Sequence, residues 1–325
     1  MTGDTSAHAK EPDKIRIGIS SCLLGQEVRF DGGHKRDSYI NGTLNQYFDF
    51  VPVCPELAVG LGVPREPIRL VTTKAGTHVV GTRNPTLDVT EALRDYGERK
   101  GHEMRDIAGY ILKRGSPSCG MERVKVYTSA GMPNKSEPGM YARAFMAVQP
   151  LLPMEEEGRL GDPVLRENFI VRVFVYHRWQ NLLCDGLTPA KLVDFHTRHK
   201  LLILAHNQAA YRRMGRLVAR AGIEDMDDLA AEYVHELMTA LKRRAGRRHH
   251  MNVLQHLLGY LRKHLDPADR AEMHETIKSY GQGLIPLVVP ITLLKHHFRR
   301  HPHPYVENQY YLSPHPAELM LRNAL

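Results

Sequence analysis

Apolar positions alternate along residues 15–21, Ile-Arg-Ile-Gly-Ile-Ser-Ser, and this β-branched run predicts a strand that enters a loop at Cys22. Gly25, Gly32 and Gly33 keep residues 24–36 out of regular structure. A helix is predicted over 39–48 and a short apolar strand over 50–53, ending at Cys54-Pro55-Glu56. Gly60, Gly62, Pro64 and Pro67 then enforce a loop, and 69–73 and 77–81 read as a hairpin around Ala75-Gly76. Thr90 is placed to cap a polar helix over 91–105, and 107–112 reads as a buried strand ending in Lys113-Arg114-Gly115-Ser116-Pro117-Ser118-Cys119-Gly120. Strands alternating with helices predict an α/β domain with a mostly parallel sheet.

The period then changes. An acidic, glycine-containing stretch at 154–161 reads as the core of a linker, and beyond it the pattern is helical over 168–183, 191–221, 226–241, 253–264, 267–280 and 291–298. The tail 301–316 is rich in Pro, Tyr and His, and Pro316 can open a short last helix. The expected division is an α/β domain at 1–153, a linker at 154–164 and an all-α domain at 165–325.

Composition narrows the function classes. The chain has 325 residues, 42% apolar and 25% charged, the profile of folded domains with buried cores. No run of 18 apolar residues exists, so no membrane-spanning helix is expected. The polar first fourteen residues lack the apolar stretch of a secretory signal, and four cysteines are too few for a disulfide scaffold. A cytoplasmic setting is expected. The net charge of +8 favours an anionic partner. Histidine is lopsided: His8, His34, His78 and His102 precede residue 153, and the rest of the 19 follow it.

Cys22, Cys54 and Cys119 each follow a predicted strand beside Gly or Pro. Loops at the carboxyl ends of parallel strands gather at one edge of an open α/β sheet, so the three can converge. Three thiolates without a CxxC pair make a poor closed zinc cage and suit a cubane with one iron lacking a protein ligand. Around them, Glu56 can move protons, Ser116 and Ser118 can donate hydrogen bonds, and Asp31 lies in the glycine loop. Two other readings stay open at this point: small buried hydrophobes at strand ends, and a nucleophile at the tight turn Ser118-Cys119-Gly120. Cys184 lies in an apolar helical stretch and is expected in the core.

In the second half, Leu254, Leu257, Leu258, Leu261 and Leu265 form an apolar stripe. Asn252, Gln255, His256, Gly259 and Lys263 fall on the opposite side at helical spacing, as either a solvated or a binding face. His199 and His206 share a face, with Lys200 nearby. Lys242, Arg243, Arg244, Arg247 and Arg248 place five cations in seven positions, a pattern that suits phosphate backbone contact. Tyr305, Tyr310 and Tyr311, with His301 and His303, offer stacking surfaces for unpaired bases.

Taken together, Ser20-Ser21-Cys22-Leu23-Leu24-Gly25, Val28-Arg29-Phe30-Asp31-Gly32-Gly33, Cys54-Pro55-Glu56, Pro64-Arg65-Glu66-Pro67 and Ser116-Pro117-Ser118-Cys119-Gly120 resemble the TudS-type thiouracil desulfidases over about residues 14–150. Phe30 stands where many relatives have Tyr. The resemblance implies a [4Fe–4S] cluster held by Cys22, Cys54 and Cys119, with one iron left for the substrate's sulfur and catalytic roles near Glu56 and Ser118. Residues 165–325 resemble the YbgA-type helical domain through Phe195-His196-Thr197-Arg198-His199-Lys200, Asn252-Val253-Leu254-Gln255-His256, Gly259-Tyr260 and Gln309-Tyr310-Tyr311-Leu312-Ser313-Pro314-His315-Pro316. Fusions of the two resemble desulfidases of 4-thiouridine in tRNA whose helical half holds the RNA. In that reading His199, Lys200, Asn252, His256 and the basic run Lys242–Arg248 contact tRNA. The alternatives are a desulfidase of free thiouracil-type bases and a non-enzymatic protein that binds zinc and RNA.

Overall fold

Both faces of the first strand are buried, and this fixes its place at the centre of a sheet. In the computed structural model, which describes residues 14–128 and 130–323, β1 (Ile15–Ser20) runs parallel to β2 (Phe48–Val53) on one side and β5 (Gly109–Leu112) on the other, with Ile17 opposite Phe50 and Gly109. Gly18 lets β1 approach Tyr110: a Cβ there would lie 3.0 Å from the tyrosine ring.

A second sheet carries β3 (Ile68–Thr73), β4 (Gly76–Gly81), β6 (Val124–Tyr127) and β7 (Pro133–Glu137) in the order β4-β3-β6-β7. It is mixed: β3 is antiparallel to β4 and parallel to β6, and β6 is antiparallel to β7. The α/β class is as the pattern predicts, with this mixed sheet added to the parallel one.

The expected helix at 39–48 is mostly absent. Only α1 (Ser38–Gly42) and a 3₁₀ turn at Leu44–Gln46 form. Phe48 is fully buried opposite Ile15, and strand pairing overrides the local helical tendency there. After β2 comes the one-turn α2 (Pro55–Ala58). The hairpin forms as expected. Thr90 does not cap α3 (Thr90–Glu103) but is its first residue; its Oγ1 accepts from Val79 N at 2.8 Å and ties the helix to β4. Against α3 packs α4 (Met140–Val148), which the sequence reading missed along with β6 and β7. Gly97 and Gly101 allow this close approach, since a Cβ at Gly97 would lie 2.8 Å from Ala144 Cβ.

The chain divides into two compact units between Val148 and Gln149. The second begins with β8 (Met154–Glu156), inside the expected linker. Glu155 and Glu156 are buried, Arg159 Nε donates to Glu155 Oε1 at 2.6 Å, and Asp162 caps the following helix. The 154–164 stretch is therefore ordered structure.

The rest of this unit is helical: α5 (Pro163–Cys184), α6 (Pro189–His206), α7 (Gln208–Val218), α8 (Met226–Lys242), α9 (Arg247–Leu261), α10 (Pro267–Gly281), α11 (Val288–Arg300) and α12 (Pro304–Glu307). The single helix expected at 191–221 is two. Asn207 is extended between α6 and α7, and its side chain accepts from Ala209 N and Ala210 N to start the second. Leu254, Leu257, Leu258, Leu261 and Leu265 all enter the core, as their spacing predicts. Cys184 does not: it sits exposed at the last position of α5, where the helix has run past the core. Pro316 opens a 3₁₀ turn at Ala317–Leu319. No helix among the described residues is long and apolar enough to cross a membrane.

Candidate active site

Because β2, β1 and β5 are parallel, their carboxyl ends share one edge, and the chain leaves each of them through a cysteine-bearing loop. Cys22 lies in the 3₁₀ turn Ser21–Leu24 just after β1. Cys54 is the residue between β2 and α2, and Cys119 lies in the loop after β5. All three thiols, with Glu56, Arg65 and Ser118, line a single cavity of about 210 Å³. Among the described residues no group of three His, Cys, Asp or Glu side chains is arranged to hold a metal ion. Burial, then the Glu56 carboxylate, pushes the Cys119 thiol up to about 12, and burial raises Cys54. Thiols so disposed do not ionise unaided near neutrality, which weighs against a free cysteine nucleophile at Ser118-Cys119-Gly120.

The Cys119 loop is held from two sides. Ser116 Oγ accepts from Cys119 N at 3.1 Å, and Gly120 N donates to Ser116 O at 2.8 Å. From the start of α4, Met140 N and Ala142 N donate to the carbonyls of Pro117 and Ser118, each at 3.0 Å. Gly139 makes that contact possible, because a Cβ there would meet Ser118 O at 2.5 Å. Overpacking of this kind costs about 1–3 kcal/mol. Gly139→Ala is expected to lower stability by that amount in urea unfolding; an unchanged midpoint would show that the loop has room to move.

Glu56 is the centre of the polar constellation. Arg65 grips one carboxylate oxygen through Nε at 3.0 Å and Nη2 at 2.7 Å. The other oxygen accepts from Ser118 Oγ at 2.6 Å and faces Ser116 Oγ at 3.4 Å, and the two serine hydroxyls are 2.9 Å apart. The Arg65 side chain is only 5% exposed and also donates to Gly62 O and Val28 O, so one guanidinium fastens three segments. Its role went unassigned from sequence; the signal was an arginine framed by prolines in Pro64-Arg65-Glu66-Pro67. Asp31, expected near the chemistry, is not in the cavity lining. Its Oδ1 accepts from Gly33 N at 3.1 Å and pairs with Arg29, so it shapes the glycine turn. Phe30 does line the cavity, 38% exposed, with the Arg29 guanidinium 5.3 Å from its ring centre.

Residues 17–157 match the 2-thiouracil desulfurase family, and residues 200–316 match DUF1722, a family described as of unknown function. YbbK of Bacillus subtilis is 33% identical over 110 residues, 32% of this chain and 72% of its own. YbgA of Escherichia coli K12 is 34% identical over 159 residues, 49% of this chain and 94% of its own. The chain belongs to the 2-thiouracil desulfurase family and carries a YbgA-type DUF1722 domain. A solved [4Fe–4S]-dependent thiouracil desulfidase, TudS, is 29% identical and covers 46% of this chain and 95% of its own, with a TM-score of 0.35.

In the DUF1722 domain the expected contact residues separate into two groups. Arg243, Arg244, Arg248 and His256 are exposed, and Asn252 is half-buried. Lys242 is exposed and donates to Pro150 O at 3.3 Å, while Arg247 donates to Tyr280 O at 3.1 Å. Lys200 lies over the Tyr305 ring at 4.8 Å, and Tyr305 in turn packs on Tyr260, beside His303. Tyr260, part of the Gly259-Tyr260 motif but given no role from sequence, joins the polar face of α9 to this cluster. His199 is removed from the surface set: it is fully buried, its ring nitrogen 2.7 Å from the Phe195 carbonyl. His206 and Tyr311 are buried too, and Tyr310 is sandwiched between Arg178 and His199. Helix packing takes these rings because their apolar faces fill the core.

Proposed function

We propose that the protein removes sulfur from 4-thiouridine in tRNA, giving uridine and hydrogen sulfide, with a [4Fe–4S] cluster held by Cys22, Cys54 and Cys119. The observation that carries this reading is the cavity in which three thiols meet a carboxylate fixed by Arg65 and Ser118. The donor set fits the group: Cys22, Cys54 and Cys119 bring three soft ligands to one cavity. When bound, the cluster supplies a Lewis-acidic iron without a protein ligand, a soft partner for a thiocarbonyl sulfur.

The rest of the chemistry falls to side chains. Replacing C=S by C=O with water changes no oxidation state at carbon or sulfur, so the chain has to manage protons only. Arg65 and Ser118 donate to the two Glu56 oxygens and fix the carboxylate at the cavity wall, where it is placed as the proton acceptor for an attacking water. Ser116 and Ser118 extend that acceptor into a relay towards the cavity. Phe30 at the wall offers a face on which a pyrimidine can stack.

Two features of the DUF1722 domain support an RNA substrate. Gly246 caps α9 without a side chain, and the helix opens on Arg247 and Arg248, cations set against the positive end of the helix dipole. A phosphate relieves that repulsion. The group of exposed Tyr260 with half-buried Lys200 and Tyr305 adds aromatic faces beside a cation. All four cysteines are unbridged, in keeping with a cytoplasmic setting.

Sulfide release measured side by side on thiolated tRNA and free thiouracil tests the reading. Turnover of the tRNA is expected to dominate, with tRNA binding that weakens steeply as salt rises. Equal turnover of free base without tRNA binding would replace it by a free-base desulfidase, and one zinc without sulfide would end it. Glu56→Gln is expected to lower kcat by about 10²–10⁴-fold, with iron and sulfide content unchanged.

A further inference from the structure

Phe30, the wall offered to a ring, and Glu56, the acceptor, stand on separate segments: the glycine loop that follows β1 and the one-turn α2. A reaction between a ring stacked on one and a water held by the other needs the two in fixed register, since a misplacement of about 1 Å costs roughly 10²-fold in rate. Both segments meet at one residue. The Arg65 backbone N–H donates to Phe30 O at 2.9 Å, and its Nη2 donates to Val28 O at 2.9 Å, so residue 65 holds the carbonyls on either side of Arg29. The same Nη2 donates to Glu56 Oε2 at 2.7 Å, joined there by Nε at 3.0 Å.

The plane of the guanidinium turns these contacts into a gauge. Its N–H groups form a rigid fork, and Nη2 spends its two hydrogens on two different segments. The Val28 carbonyl and the Glu56 carboxylate therefore keep one separation and one angle. Nη1 donates to Gly62 O at 2.8 Å and anchors the fork to its own turn. With the side chain 5% exposed, little water competes for these partners. A lysine would carry the charge without the plane.

Resting on the function proposed above, we infer that Arg65 is a positioning residue that sets the ring-stacking wall at Phe30 against the proton acceptor Glu56. It takes no proton itself and acts through the two residues it joins.

Double-mutant cycles on the full chain test this, with thiolated tRNA or free thiouracil as substrate, whichever the wild type turns over faster. Arg65→Lys is expected to lower kcat at least about tenfold and to raise KM at least about threefold, with iron and sulfide content unchanged. In a Glu56→Gln background the same substitution is expected to leave kcat within about twofold and still raise KM. In a Phe30→Ala background it is expected to leave KM within about twofold and still lower kcat. Arg65→Met is expected to follow the same pattern with a larger fall; if that variant does not fold, the lysine variant decides. Equal losses in every background, losses that track missing iron, or an Arg65→Lys enzyme within about twofold of wild type overturn the proposal. Hydrogen exchange reads the same link without turnover. Residues 28–33 and 58–61 are both expected to exchange at least about tenfold faster in Arg65→Lys, and a change in neither or in only one of them overturns the proposal. A wild type that releases no sulfide from either substrate counts against the function proposed above, and exchange then decides the role of Arg65.

Discussion

Single replacement of Cys22, Cys54 or Cys119 by Ala is expected to abolish bound iron, acid-labile sulfide and sulfide release together, whereas Cys184→Ala keeps all three. The reasoning starts from where the strands end. Parallel β1, β2 and β5 bring three loops to one edge, and each loop contributes one thiol to the same cavity. With three protein ligands the loss of one leaves two, too few to hold a cluster against solvent and exchange. Cys184, exposed at the end of α5, has no part in the lining. Iron and sulfide analysis after anaerobic purification, with the visible absorbance, reads the result. Loss of iron from Cys184→Ala would mean a fourth thiolate, and the proposed iron free of protein ligands would have to be abandoned.

That convergence was legible in the sequence because strand direction is. β-Branched alternation at Ile15–Ser20 and the apolar run at 107–112 mark buried parallel strands, and the residue after such a strand lands at the ligand-binding edge. Glu56 and Ser118 followed by adjacency to Cys54 and Cys119. Arg65 did not, because its value comes from meeting Glu56 across a loop, a tertiary fact with no local period. The same limit explains Asp31, whose carboxylate is consumed by its own turn. Tertiary context also decided the elements that were missed: Phe48 exchanged a helix for a place beside Ile15, and β7 is polar throughout and carries no apolar alternation. In the helical half, periodicity found the core stripe but could not separate buried from exposed histidines, since His tolerates both.

Those buried histidines make the second unit acid-labile, and this is the other large effect expected. Burial lowers His196, His206 and His315 to about 4 and His199 to about 3, and it pushes His250 well down too. Each is neutral when folded and fills a specific place. His206 Nδ1 lies 2.6 Å from the Arg243 carbonyl, and His250 Nδ1 lies 2.9 Å from Tyr311 Oη. In the unfolded chain the same groups titrate near 6.5. Below that pH the unfolded state binds more protons than the folded one, so stability falls as pH falls. The loss begins near pH 6.5 and continues to between 4 and 3, where the folded groups protonate too. At pH 5 each histidine removes roughly 1–2 kcal/mol, and several together rival the roughly 5–15 kcal/mol that holds a domain folded. Circular dichroism is therefore expected to show cooperative loss of helix between about pH 6 and 4, with proton uptake on unfolding near pH 5. His199→Gln is expected to shift the acid midpoint downward, because it removes one proton-binding group from the unfolded state. Full helicity at pH 4 in moderate urea would mean that these rings take their protons in place, and that the packing around Phe195 and Tyr311 accommodates the charge.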